Sequence, residues 1–295
     1  MTLLLSVLIF GIYSAALLAI GAVGFTLQFG VTNVLNLAYG SIITACIFAE
    51  YGLTGHSTNI WVAMAVGAAA GALLSLFIGH VVVGAFIRRG ATGFGIAMVT
   101  IAISLMVQFG LEAIQGPDIL AYSASTHATI NVGGVVLSSG QLTTIIVAVL
   151  AMLAVHLLLR ATRLGLAMRA TAADASLTRS CGVSPARTRV VAWLVSGALC
   201  GLCGVLLGLG EGSFSAATGS DFFITLAAAA VLGGIGQPYG AMLGALIIGI
   251  VSQAAAAVIS PSYKTIAAWI ILIAVLLLRP QGILAEYAAG RELVA

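Results

Sequence analysis

Charge is what this chain has least of. Only 19 of its 295 residues are Asp, Glu, Lys or Arg, or 6%, where soluble domains carry about 25%. No water-facing surface can be built from so few. Lysine occurs once, as Lys264, and no basic cluster lies outside the loops, so the footprint of a nucleic-acid partner is missing. The four cysteines (Cys46, Cys181, Cys200, Cys203) sit in or beside apolar runs, which excludes a secreted disulfide scaffold. No Lys or Arg precedes the first apolar run and no small-residue cleavage site lies near it. That run is expected to be a retained span and not a removed signal peptide. Alternation with period two is also missing, which argues against an outer-membrane barrel.

Apolar residues make up 61% of the chain. A bilayer crossing takes about 20 of them, and in lipid the backbone must satisfy its own hydrogen bonds. The expected fold is therefore all-α, a polytopic transmembrane helical bundle of about eight or nine membrane segments forming one domain over 1–295. The runs fall at 3–29, 33–53, 60–87, 94–115, 141–159, 190–210, 222–235, 240–259 and 265–279. Two are atypical. The run 222–235 is short and leads into a Gly/Pro-rich stretch, and 33–53 is interrupted near its start by Asn33, Asn36, Tyr39 and Gly40. Such segments are either helices unwound to line a solute path or kinks packed against neighbours.

All ten arginines fall into three regions: Arg88 and Arg89, six between 160 and 189, and Arg279 with Arg291. The positive-inside rule places these regions, and with them the C-terminus, in the cytoplasm of a cell inner membrane. The N-terminus is then outside if 33–53 crosses, and inside if it is re-entrant. Glycines recur at four-residue spacing (Gly67 and Gly71, Gly197 and Gly201, Gly236, Gly240 and Gly244), a pattern that lets helix backbones approach closely in lipid.

The connection 160–189 is Ala-rich and helix-permissive, with Asp174 as its only acid. Gly182 follows a plausible helix, and Pro185 lies just beyond as a stop signal. On composition the segment either meets a soluble partner or lies on anionic lipid headgroups. Elsewhere, Asn33 and Asn36 share a face if that stretch is helical; they line a path or satisfy unwound carbonyls. Thr100, Ser104 and Gln108 form a polar stripe, for interhelical hydrogen bonds or for a path. Glu50 reads as a solvated boundary position, and Cys200 and Cys203 as packing residues. His56, His80, His127 and His156 are scattered and show no metal-site spacing. The loops 116–139, with Asp118, and 211–221, with Glu211 and Asp221, are candidate outer docking surfaces.

Three separated blocks carry a resemblance. The first is Leu164-Gly165-Leu166-Ala167-Met168-Arg169-Ala170 with Asp174, Gly182-Val183 and the Gly-rich stretch 197–205. The second is Gly30-Val31-Thr32-Asn33-Val34-Leu35-Asn36-Leu37-Ala38-Tyr39-Gly40. The third is Ala230-Val231-Leu232-Gly233-Gly234-Ile235-Gly236 followed by Gly240-Ala241. In this order and spacing the chain resembles the permeases of branched-chain amino acid ABC importers, the shorter of the two permease subunits above all. The resemblance implies that 160–189 is the loop coupling the permease to its ATPase, through Arg169, Asp174 and Gly182. It also implies a substrate path involving Asn33, Asn36, Tyr39, Thr100 and Ser104. The implied partners are a second permease subunit (a paralogue or a second copy), two ATP-binding subunits, and a periplasmic or lipid-anchored solute-binding protein. One departure is visible. Where the family commonly has His-Gly-Glu, this chain has Tyr39-Gly40-Ser41, which leaves the expected solute open beyond leucine, isoleucine and valine; relatives also carry urea and short amides.

No Gly-x-x-x-x-Gly-Lys-Ser/Thr loop is present, so ATP and Mg belong to the partner subunits and no cofactor is expected in this chain. A nucleophile–base pair or His-Glu-x-x-His motif is also missing, so catalytic residues and a metal site are not expected. The competing reading, a self-sufficient secondary transporter or channel, usually shows intramembrane charges for ion coupling; apart from Glu50 the spans lack them.

Overall fold

The computed structural model describes residues 2–54, 60–116, 118–122, 129–132, 135–258, 260, 263–278 and 282. Arg279, Glu286, Arg291, Glu292, His56 and His127 lie outside the described residues. In chain order the helices are α1 (Thr2–Thr32), α2 (Tyr39–Thr54) and α3 (Ile60–Leu76). The last continues through a π-helical stretch (Phe77–Val83) into α4 (Gly84–Arg88). There follow α5 (Gly93–Gln115), α6 (Ser139–Ala161), α7 (Arg163–Ala173), α8 (Ala175–Ser180), α9 (Pro185–Glu211), α10 (Thr218–Gly233), α11 (Pro238–Val258) and α12 (Lys264–Leu278).

Among the described residues, six helices are long and apolar enough to cross a bilayer: α1, the continuous α3–α4 rod, α5, α6, α9 and α11. The helices α2, α10 and α12 have 16, 16 and 15 residues. At 1.5 Å per residue they reach about 23 Å, short of the hydrocarbon thickness of about 30 Å. The nine apolar runs thus correspond to six full-length helices and three shorter ones. The bundle is helical except for two small antiparallel ribbons in the connections: β1 (Leu120–Ala121) with β4 (Ser213–Phe214), and β2 (Thr129–Val132) with β3 (Val135–Ser138).

The centre of the bundle is α1. It packs against α6, α9, α10 and α11, and from Ala15 to Leu27 nearly every side chain is buried. It runs antiparallel to α9 and α11, as shown by the closeness of Gly21 to Cys203, Gly24 to Leu199, Gly11 to Ile250 and Gly30 to Gly236. One end of the bundle therefore carries the Arg88–Arg89 turn, α7, α8 and the 234–237 turn. The other carries the β1–β4 ribbon and the connection from α11 to α12.

Backbone contact holds α3 to α9. A Cβ on Gly201 would fall on the carbonyl oxygen of Gly67, and one on Gly71 on that of Gly197. The hydroxyl of Ser75 donates to the carbonyl of Trp193 at 2.9 Å across the same seam. Further along, Gly79 in the π-helical stretch lies under the Trp193 ring, with no room for a side chain. Between α10 and α11 the close pairs are Gly233 with Gly240 and Ala229 with Gly244. Small residues at four-residue spacing are thus used for approach between backbones, where dispersion and not the hydrophobic effect holds helices together.

Pro185 lies just beyond the end of α8, as expected, and also opens α9 as its first residue, where its missing N–H costs nothing and its fixed φ suits the helix.

Candidate functional site

The break between α1 and α2 lies inside the bundle. Asn33 terminates α1 in the left-handed region, φ 53°, a conformation Asn tolerates better than most residues. Residues 33–38 are not helical, so Asn33 and Asn36 do not share a helix face. Asn36 is fully buried. Its Oδ1 accepts from the Ala38 N–H at 3.2 Å, and its carbonyl accepts from the Tyr39 N–H at 3.3 Å, which opens α2. Its Nδ2 donates to Gln28 Oε1 at 3.4 Å, and the Ser196 hydroxyl donates to the same oxygen at 3.2 Å.

Thr100 supports the break from α5. Its hydroxyl donates to its own helix at Ala97 O, 2.8 Å away, and accepts from the Leu37 N–H at 3.2 Å. Unwound backbone at membrane depth needs such partners, because lipid offers none. The Tyr39 ring is buried between Phe25 and Phe223, with centroids at 5.6 and 6.2 Å, and its hydroxyl donates to Ser196 O at 3.3 Å. The structure therefore brings Asn36, Tyr39 and Thr100 together around one unwound segment. Asn33 is exposed beside it, and Ser104 is half-buried one turn further along α5. Gln28 and Ser196 complete the cluster and were not foreseen. The visible signal was a glutamine amid the apolar residues of α1.

At the same end of the bundle, α7 and α8 lie against the helix ends. Gly165, Met168 and Thr171, spaced by three, are the buried side of α7. Gly165 sits against the backbone of Leu158 and Leu159, where a Cβ would overlap. The other side is open: Leu164, Leu166 and Leu177 are 52, 61 and 63% exposed, and Arg169 is exposed beside them. Asp174 separates the two helices and caps α8. Its Oδ1 accepts from the Ser176 hydroxyl and N–H, both at 2.7 Å, and from the Leu177 N–H at 3.0 Å. The Ser176 hydroxyl first, then these N–H groups, hold the carboxyl below its usual range. Gly182 follows α8 at φ 82°. A Cβ there would meet nothing, so the glycine is required by the backbone conformation and not by space.

At the opposite end Glu50 is buried, 3% exposed, and accepts a hydrogen bond from the Tyr122 hydroxyl at 2.6 Å. This corrects the reading of Glu50 as a solvated boundary residue. The cover comes from a loop 72 residues away, which a local reading does not see. Burial, then the carboxylate as acceptor, pushes the Tyr122 hydroxyl well above its usual pKa. Cys200 and Cys203 are fully buried, with Sγ 3.6 Å from Tyr39 O and 3.5 Å from Leu17 O, in keeping with a packing role.

A multi-pass helical bundle, unwound within its interior and bearing a helical pair with exposed leucines at one end, has the architecture of a membrane transport subunit. The family model described as "Branched-chain amino acid transport system / permease component" matches residues 7–276, and the chain belongs to that family. Among its relatives are the high-affinity branched-chain amino acid transport system permease proteins LivH of Escherichia coli and LivH of Salmonella typhimurium. Each is 29% identical, with 93% of either chain covered. BraD of Pseudomonas aeruginosa, with the same description, is 29% identical over 94% of either chain. No solved structure matches significantly.

Proposed function

We propose that this chain is the shorter of two permease subunits in an importer of branched-chain amino acids or a closely related amino-acid-like solute. A second permease subunit, two ATP-binding subunits carrying ATP and Mg, and an outer solute-binding protein complete the machine. The chain itself performs no catalysis. The α7–α8 end faces the cytoplasm together with the C-terminus, and the N-terminus lies outside. The whole chain acts as one permease domain, and 160–189 is its coupling segment.

One observation carries this reading. Leu164, Leu166 and Leu177 are exposed on a helical pair whose other side is anchored to the bundle through Gly165, Met168 and Thr171. Exposed apolar residues rimmed by arginine fit a protein partner better than bare solvent. Asp174 and Gly182 fix the angle between the parts of this element, and Arg169 supplies charge to the contact. In the conformation described, Asn36, Tyr39 and Thr100 spend their polar atoms on the chain and brace the break, while Asn33 and Ser104 keep exposure for a solute path.

The test is reconstitution with the partner subunits in proteoliposomes. Arg169→Glu, Asp174→Ala and Gly182→Val are expected to insert normally and retain ATP hydrolysis while uptake falls at least tenfold. Normal coupled transport in all three removes the coupling assignment. Cys181 is the exposed cysteine beside them. An impermeant maleimide should reach it in inverted vesicles and not in right-side-out ones, and the reverse result inverts the orientation.

A further inference from the structure

At the end of the bundle away from α7 and α8, a cavity of about 370 Å³ lies between α1, α9, α10, α11 and α12. That is within the size range of small-ligand sites, about 300–1,000 Å³. Glu211 from the end of α9, Asp221 from the first turn of α10 and Lys264 from the start of α12 meet there. They account for 3 of the 19 charges in the sequence. All three are exposed, while Leu17, Leu18 and Leu207 form a buried wall. Among the described residues none of the three charged side chains is held in a hydrogen bond or ion pair. Glu211 and Lys264 attract through space, and Glu211 and Asp221 repel.

A few charged groups set at the rim of an otherwise apolar cavity are what orient a polar solute in a small-molecule site. Here two carboxylates oppose one ammonium without contact, so the groups are arranged for something placed between them. An ammonium group carries three N–H donors; set between Glu211 and Asp221 it would relieve their repulsion. A carboxylate on the same molecule would meet Lys264. The leucines offer a surface for an aliphatic side chain attached to both. We propose that this cavity is a receiving site for the zwitterionic head and aliphatic side chain of an α-amino acid, at the mouth where solute enters the permease. The proposal rests on the importer reading for its solute class, and deepens it by assigning residues to each part of the solute.

The probe is L-leucine, titrated by saturation-transfer NMR against the purified permease complex without its solute-binding protein. Two analogues each lack one charge: isoamylamine has no carboxylate and 4-methylpentanoate no ammonium. Both are expected to bind at least tenfold more weakly than leucine. Lys264→Met should weaken leucine at least tenfold and abolish its advantage over isoamylamine, while Lys264→Arg largely restores it. The double substitution Glu211→Gln, Asp221→Asn should abolish the advantage over 4-methylpentanoate. Because each variant is judged by which analogue it ceases to distinguish, a general loss of folding does not imitate the result. No leucine binding by the unaltered complex, or equal discrimination in all variants, overturns the site. ATP-driven uptake by the complete system reads the importer assignment separately. Binding without uptake removes the importer reading and leaves the site, whereas uptake without this binding removes the site alone.

Discussion

Replacing Thr100 by Val tests whether the break after α1 depends on one hydroxyl from a neighbouring helix. The substitution keeps the shape and removes the acceptor of the Leu37 N–H, now at 3.2 Å. The lost donation to Ala97 O matters less, since that carbonyl lies within the regular ladder of α5. An interhelical hydrogen bond in a bilayer is worth about 0.6 kcal/mol on average and at most about 1.7. An N–H stranded in full burial adds about 1–3 kcal/mol. With Leu37 half-buried, the net cost falls at about 1–2 kcal/mol, a factor of roughly 5–30 in the opening equilibrium. Hydrogen–deuterium exchange of the peptide spanning 33–38 reads that equilibrium directly. Thr100→Val should exchange 5- to 30-fold faster there, with α9 and α11 unchanged, and Thr100→Ser should stay close to the parent. Exchange in the valine variant within twofold of the parent would refute the reasoning and leave the break held by Asn36 and Tyr39.

Two further expectations concern packing and capping. Gly201→Ala places a methyl on Gly67 O and should cost about 1–3 kcal/mol by overpacking, seen as a lower unfolding temperature in detergent; Gly52→Ala, with nothing within 4 Å, should be neutral. The Asp174 carboxyl is held below its usual value, so its capping of α8 is present at and above the ordinary carboxylate range and is lost as pH falls through the lowered value. Protection of the Ser176 and Leu177 amides, followed by exchange from pH 7 downward and corrected for intrinsic rates, should hold to below pH 3.8; loss near pH 5 would contradict the cap.

Much of this was legible because lipid makes composition speak. Run length alone located the nine apolar helices, and glycine spacing marked the seams at Gly67–Gly71 and Gly197–Gly201. Local chemistry also revealed the break at Asn33 to Asn36, although not that Gln28 and Ser196 would meet there from helices 168 residues apart in sequence. The division between α7 and α8 within 160–189 was carried by Asp174 as a cap, visible as a lone acid but not as a boundary. Glu50 was misread, and the convergence of Glu211, Asp221 and Lys264 unseen, for one reason. Each lies near the end of its own helix, and what covers or joins it comes from a connection or helix end distant in sequence.

The central place of α1 has a consequence for biogenesis. The earliest of the described helices lies at the centre of the bundle, and its main partners, α9 and α11, begin roughly 150 and 200 residues later; at about 5–20 residues per second the wait is roughly 10–40 s. Throughout that interval Gln28, Thr26 and Thr32, all buried in the finished protein, face either lipid or the insertion machinery. Thr26 and Thr32 donate their hydroxyls to carbonyls four residues back in α1 and are self-sufficient while they wait. Gln28 has no such local outlet, and its partners Asn36 and Ser196 arrive at very different times. The order of synthesis therefore leaves a single amide as the group most dependent on a chaperoned membrane entry.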